Sequence, residues 1–177
     1  DKSNKRIIGF GRYAGVVGCY NGFRAYGIKH GLYFLKSAHE CINRVQVEDE
    51  LKKVKLPTNT RIVLSGLGRV GHGAREILDL LPVKEVSSDE FVSSEFDTPV
   101  YTHLELEDYY ARRDGADFDK KEFYSSPHKY KSIFSKYLSK TDMYITCHYW
   151  SNKADVIITK EDLKMSDLRL SVVADIS

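Results

Sequence analysis

Cysteine is scarce in this chain, and an excess of charge of either sign is absent. The 177 residues hold three cysteines, Cys19, Cys41 and Cys147. That odd number, without C-x-x-C spacing, speaks against a disulfide framework and fits buried thiols in a reducing compartment, so the cytoplasm is the expected location. Against 27 basic residues stand 25 acidic ones, a net charge of +2, interspersed so that no positive field is offered to a nucleic-acid backbone. Nor is there a bilayer-length apolar run: the stretch from Ile7 to Ile28 is broken by Arg12, Asn21 and Arg24, and no signal peptide opens the sequence. Neither nucleic acid nor a membrane is an expected partner. Hydrophobic residues make up 42% and charged residues 29% of the chain, too much order-promoting material for a disordered tail. At this length about two-thirds of the unfolded surface is buried, around one core by default.

Along the chain, strand-like and helix-like segments alternate. Tyr13 to His30 has helix-length hydrophobicity ending near Gly31, and Gly11, Gly15, Gly18 and Gly22 step by four, three and four residues, which places them on one helical face. Each glycine inside a helix costs about 1 kcal/mol against alanine, so the face implies close approach of another backbone. Val45 to Val54 reads as a polar helix ending before Pro57. Thr60-Arg61-Ile62-Val63-Leu64-Ser65 reads as a strand buried on both faces. Gly66 to Gly73 follows as a turn, and Ile77, Leu78 and Leu81 give the next helix its apolar stripe. Pro99 to Leu104 predicts a second strand, and Ser126-Pro127 predicts the start of a helix carrying Tyr130, Ile133, Phe134, Tyr137 and Leu138. Met143 to His148 and Leu170 to Asp175 predict two more strands, separated by a short helix capped by Thr159 and Asp162. Alternation without hairpin signals predicts an α/β fold, a doubly wound parallel sheet with helices on both faces.

The turn is the most informative feature. In G-x-G-x-x-G after a strand, the first glycine makes the tight turn, the second lets the backbone approach a pyrophosphate, and the third packs helix on strand. Gly66, Gly68 and Gly71 match those positions, with Leu67, Arg69 and Val70 between them. The helix beginning near Val70 offers unpaired amides and a positive dipole end to an anion. Arg69 is placed to lean over a phosphate or the adenine, the plain alternative being a solvated loop arginine. A ribose-binding acid should fall about 20 residues past the glycines. Here the interval is longer, and Glu105, just past Leu104, is the nearest fitting carboxylate, while Glu107 and Asp108 read as a solvated helix start. With that register open, NAD is weakly favoured and NADP is not excluded. Ligands in such sheets lie off the carboxyl ends of strands, which nominates His148 and Tyr149 after one strand, with Cys147 and Trp150 beside them, and Asp175 and Ser177 after another. No metal site is read in Cys147 and His148, since no further ligand shows suitable spacing. No catalytic residue is assigned, His72 included, and His30, His39, His103 and His128 read as surface residues.

Ile7-Ile8-Gly9-Phe10-Gly11-Arg12-Tyr13-Ala14-Gly15, the turn Gly66–Gly73, and Val172-Val173-Ala174-Asp175-Ile176-Ser177 together resemble lysine-forming saccharopine dehydrogenase and its relatives, alanine dehydrogenase and the nucleotide-binding component of transhydrogenase. The resemblance implies a Rossmann-like NAD(P)-binding domain over 1–177, a glycine-rich interdomain helix over 1–31, and an extended insertion over 83–142. It further implies that Asp175 lies beside the cofactor and that the acid–base residues belong to a second domain, outside this chain, which would also complete the site for an amino-acid substrate. The expected activity is hydride transfer between nicotinamide and the amine-bearing carbon of an amino acid. The expected partners are a dinucleotide and that substrate, with self-association into a homo-oligomer left open. Two rival readings remain: a module that binds dinucleotide without turnover, and an S-adenosylmethionine-dependent methyltransferase, against which the Gly68-x-x-Gly71-x-Gly73 spacing speaks.

Overall fold

Helix α1 (Gly11–His30) comes first among the described residues, 9–177, of a computed structural model. Ile7 and Ile8 lie outside the described residues. Gly31 closes α1 in the left-handed region, φ 63°, where a side chain would be strained. There follow α2 (Arg44–Leu51), β1 (Arg61–Ser65), α3 (Arg69–Leu78), β2 (Lys84–Glu85), α4 (Ser88–Ser93), β3 (Val100–Leu104) and α5 (Leu106–Tyr109). The chain continues with β4 (Tyr110–Arg112), α6 (Lys120–Ser125), β5 (Tyr130–Ser132), α7 (Ser135–Leu138), β6 (Met143–Thr146) and β7 (Val172–Asp175).

Five strands form one parallel sheet in the order β2-β3-β1-β6-β7. In the middle, Val63 of β1 stands opposite Thr102 of β3 and Tyr144 of β6. Every residue of β1 is buried, which explains its unbroken apolar run. Alternate side chains divide the core. Ile62, Leu64, Tyr101 and Ile145 pack beneath α1 and α3 with Val16, Phe23 and Ile77. Val63, Val100, Leu104 and Tyr144 pack on the other face with Phe91, Tyr109, Phe134 and Tyr137. Helices thus cover both faces of a Rossmann-like α/β sheet, as expected. The connection leaving β1 skips one place to reach β2, and β3 then fills the gap beside β1. This order puts Glu105 at the carboxyl end of the strand next to the glycine turn.

The glycine face of α1 packs within the chain. A Cβ on Gly15 would stand 1.9 Å from the Val70 carbonyl oxygen, and one on Gly73 would stand 1.9 Å from that of Arg12. Farther along, Gly18 meets Ile176 and Gly22 meets Ala174, so the same face lies across α3 and β7.

Two helix expectations are corrected. Residues 126–138 do not form one helix: Pro127–Lys129 is a single 3-10 turn, and Tyr130–Ser132 pairs antiparallel with Tyr110–Arg112. The tertiary pairing buries Tyr130 against Phe118 and Phe123, and local periodicity yields to it. The β4–β5 pair is also an antiparallel element that no turn signal announced. The helix expected at Thr159 is reduced to a 3-10 turn at Asp162–Lys164, although Thr159 and Asp162 do cap one another. Residues 83–142 supply β2 and β3 to the main sheet as well as the excursion between Leu104 and Met143.

Gly15→Ala is expected to destabilise the chain by about 2–3 kcal/mol in urea unfolding, because its new methyl meets backbone that cannot swing aside. A loss below about 0.5 kcal/mol would contradict this helix contact.

Candidate functional site

Two of the three marked positions of the strand-to-helix turn need glycine, each for a different reason, and the third stands in open space. Gly66 has φ 83°, and a Cβ there would stand 2.6 Å from His148 Cα and 2.7 Å from the Cys147 carbonyl. At Gly71 a Cβ would stand 1.9 Å from the Gly66 carbonyl oxygen, so α3 rests directly on the turn. Gly68 is the N-cap of α3 at φ −75°, with nothing within 4 Å of where its Cβ would be. Its conformation is open to any residue, and only the emptiness in front of it is special. The first amides of α3 lack partners within the helix.

Two hollows run along the carboxyl edge of the sheet. The first, about 340 Å³, brings together Gly66, Leu67, Gly68, Glu105, His148 and Tyr149. The second, about 460 Å³, brings Asp175 and Ser177 to the same His148 and Tyr149. Arg69, Val70 and Gly71 line neither: the Arg69 guanidinium lies beside Gly9, and Val70 is pressed against Gly11 and Gly15 of α1. The first hollow also includes Tyr109, Lys120 and Tyr124, which sequence reasoning missed. All three come from the excursion after β3, where no motif marks them.

The electrostatics of the cleft are set by burial and hydrogen bonding. Lys120 Nζ lies 3.7 Å and His103 Nδ1 4.0 Å from the Glu105 carboxylate. His103 corrects the surface assignment: its side chain is 11% exposed, and its Nε2 is buried without a partner among the described residues. Ser177 donates through Oγ (2.6 Å) and backbone N–H (3.1 Å), and Thr146 through Oγ1 (2.8 Å), to Asp175. The Ser177 hydroxyl first, and then Thr146, hold that carboxyl below its ordinary range. Burial pushes the Cys147 thiol up to about 12, so it stays protonated and is a poor nucleophile. His148 bonds Ser65 through Nδ1 and is held neutral by burial. No cluster of three His, Cys, Asp or Glu side chains suited to a metal ion occurs among the described residues.

A parallel sheet with a glycine turn opening onto a helix N-terminus defines the class of Rossmann-like α/β proteins. No protein-family model matches the chain. Among curated proteins it is similar to alpha-aminoadipic semialdehyde synthase from Mus musculus, 30% identical over 92% of this chain, and from Rattus norvegicus, 29% identical over 92%. It is also similar to the Arabidopsis thaliana protein of that name, 25% identical over 98% of this chain. The chain spans about 20% of the length of each of these relatives. This similarity to the alpha-aminoadipic semialdehyde synthases agrees with the saccharopine dehydrogenase-type resemblance. The mouse and rat proteins are named as mitochondrial, so they lend the cytoplasmic expectation no support. No helix among the described residues is long and apolar enough to cross a membrane.

Burial holds His103 and His148 below the ordinary value of 6.5, so unfolding takes up protons near neutrality. The stability this confers is present above the ordinary value and is lost as pH falls through the lowered folded values. Urea midpoints are expected to fall between about pH 7.5 and about pH 5, and His103→Gln combined with His148→Gln to flatten the fall. An identical slope in the double variant would count against the assignment.

Proposed function

We propose that the chain binds a dinucleotide along the carboxyl edge of its sheet and forms the nucleotide-binding part of an amino-acid oxidoreductase. The observation that carries this reading is Gly68, an open position at the head of α3, between a glycine that must turn and a glycine that must pack. A pyrophosphate needs that combination, since its oxygens are met by backbone amides and any side chain at the second glycine would occupy their place. Gly66, Leu67 and Gly68 would hold the pyrophosphate, and Arg69, Val70 and Gly71 would contribute through their backbone amides alone.

Glu105, just past the end of the strand beside β1, would accept hydrogen bonds from the adenosine ribose, an arrangement that favours NAD over NADP. His148 and Tyr149 lie where the two hollows join, and Asp175 and Ser177 would border the nicotinamide end. A bound nicotinamide supplies or takes up the hydride. The chain's own residues bind and orient: Ser177 and Thr146 keep Asp175 ionised and fixed, and Tyr109 and Tyr124 help wall the first hollow. Kinship with the alpha-aminoadipic semialdehyde synthases supports an amino-acid substrate whose amine-bearing carbon exchanges hydride. Acid–base groups and much of the substrate site are assigned to a further domain, in keeping with the family resemblance.

Calorimetric titration with NADH, NADPH and S-adenosylmethionine tests the reading. Saturable binding of a nicotinamide dinucleotide is expected, weakened about tenfold or more by Gly68→Ala, while the same substitution lowers stability by less than about 1 kcal/mol. Binding of S-adenosylmethionine alone, or equal dinucleotide binding by the variant, would overturn it.

A further inference from the structure

Ser65, Tyr144 and His148 form a chain of hydrogen bonds running from inside the sheet to the cleft. Ser65 Oγ lies 2.9 Å from the Tyr144 hydroxyl and 2.9 Å from His148 Nδ1. Ser65 is wholly buried and Tyr144 is 2% exposed, so the hydrogens of both hydroxyls must find acceptors within the protein. Among the described residues the two hydroxyls have only each other and the imidazole to bond with.

This small set fixes the direction of donation. If Nδ1 carried a hydrogen, it would donate to Ser65, Ser65 would donate to Tyr144, and the Tyr144 hydrogen would be buried with no acceptor, which forfeits its full hydration. In the opposite order Tyr144 donates to Ser65, Ser65 donates to Nδ1, and every buried hydrogen is satisfied. The neutral imidazole then carries its hydrogen on Nε2. That nitrogen makes no hydrogen bond to a described residue, and His148 lines both hollows. The Cα of His148 also stands against the first glycine of the turn.

We propose that the Tyr144–Ser65 pair holds His148 in its Nε2–H form, and that this N–H donates to a pyrophosphate oxygen of the bound dinucleotide. The ligand half of this inference rests on the dinucleotide reading above; the tautomer half does not. Burial of the ring keeps it uncharged near neutral pH, so it acts as a fixed dipolar donor, as the backbone amides of α3 do on the same anion.

Nitrogen-15 NMR of the labelled 177-residue chain without ligand is expected to show His148 Nε2 protonated and Nδ1 bare. Tyr144→Phe removes the hydrogen that sets the order and is expected to raise the Nδ1–H population. A free chain with Nδ1–H predominant would overturn the tautomer. In titrations with NADH and NADPH, His148→Leu is expected to bind about tenfold more weakly, the order of one hydrogen bond to a charged group. His148→Gln, whose amide donates from a similar position, is expected to recover most of the loss. Equal binding by wild type and His148→Leu would overturn the ligand assignment alone. Failure of the wild type to bind either dinucleotide would instead overturn the parent reading, with the NMR result still deciding the tautomer.

Discussion

Backbone contact between α1 and α3 is the constraint on which the cleft depends. Gly15 sits against the Val70 carbonyl and Gly73 against the Arg12 carbonyl, each at a distance that leaves no room for a methyl group. The reciprocal contact removes most freedom of α3 to slide or roll. Because Gly71 of α3 rests on the Gly66 carbonyl, the same contact holds the first turn of the helix at the end of β1. The glycines of α1 each give up about 1 kcal/mol of helix propensity, and close packing over the length of the pair offsets that loss. Outside the contact, Arg12 and Arg44 both reach Glu76, but these groups are too exposed to fix the helices by themselves.

The cleft that results is lined by backbone amides, hydroxyls, neutral imidazole and aromatic rings rather than by a cluster of cations. Such a surface binds an anion through fixed dipoles, which need little rearrangement when the ligand arrives. The carboxylates have separate surroundings. Glu105 is set between His103 and Lys120 near the first hollow, whereas Asp175 is held by Ser177 and Thr146 in the second. His148 connects the two regions.

Legibility in the sequence followed the range of the interactions. Strand β1 and the turn after it could be read because a buried apolar run, a positive φ and a helix start are local requirements. The spacing of Gly11, Gly15, Gly18 and Gly22 revealed a close contact but not its partner, since α3 and β7 are brought there only by the fold. Glu105 could be named but not placed: its proximity to the turn comes from β3 lying beside β1, not from an interval of about 20 residues. Residues 126–138 have helical spacing, yet Tyr130 gains more from pairing with β4 and packing on Phe123. His103 reads as exposed because nothing local indicates that it lies within the sheet, opposite Leu64 of β1. Tyr109, Lys120 and Tyr124 carry no motif, and nothing local to Ser65 shows that Tyr144 and His148 lie within hydrogen-bonding distance of it.

Backbone amide NMR during addition of inorganic pyrophosphate and then NADH gives the most direct test of the central claim, that the head of α3 is an anion site built from the glycine turn. The account predicts that pyrophosphate moves the amides of Gly66 to Gly71 most, and that NADH extends the changes to Glu105, His148 and Asp175. Shifts centred elsewhere in the fold, or a turn that stays silent at saturating ligand, would contradict it.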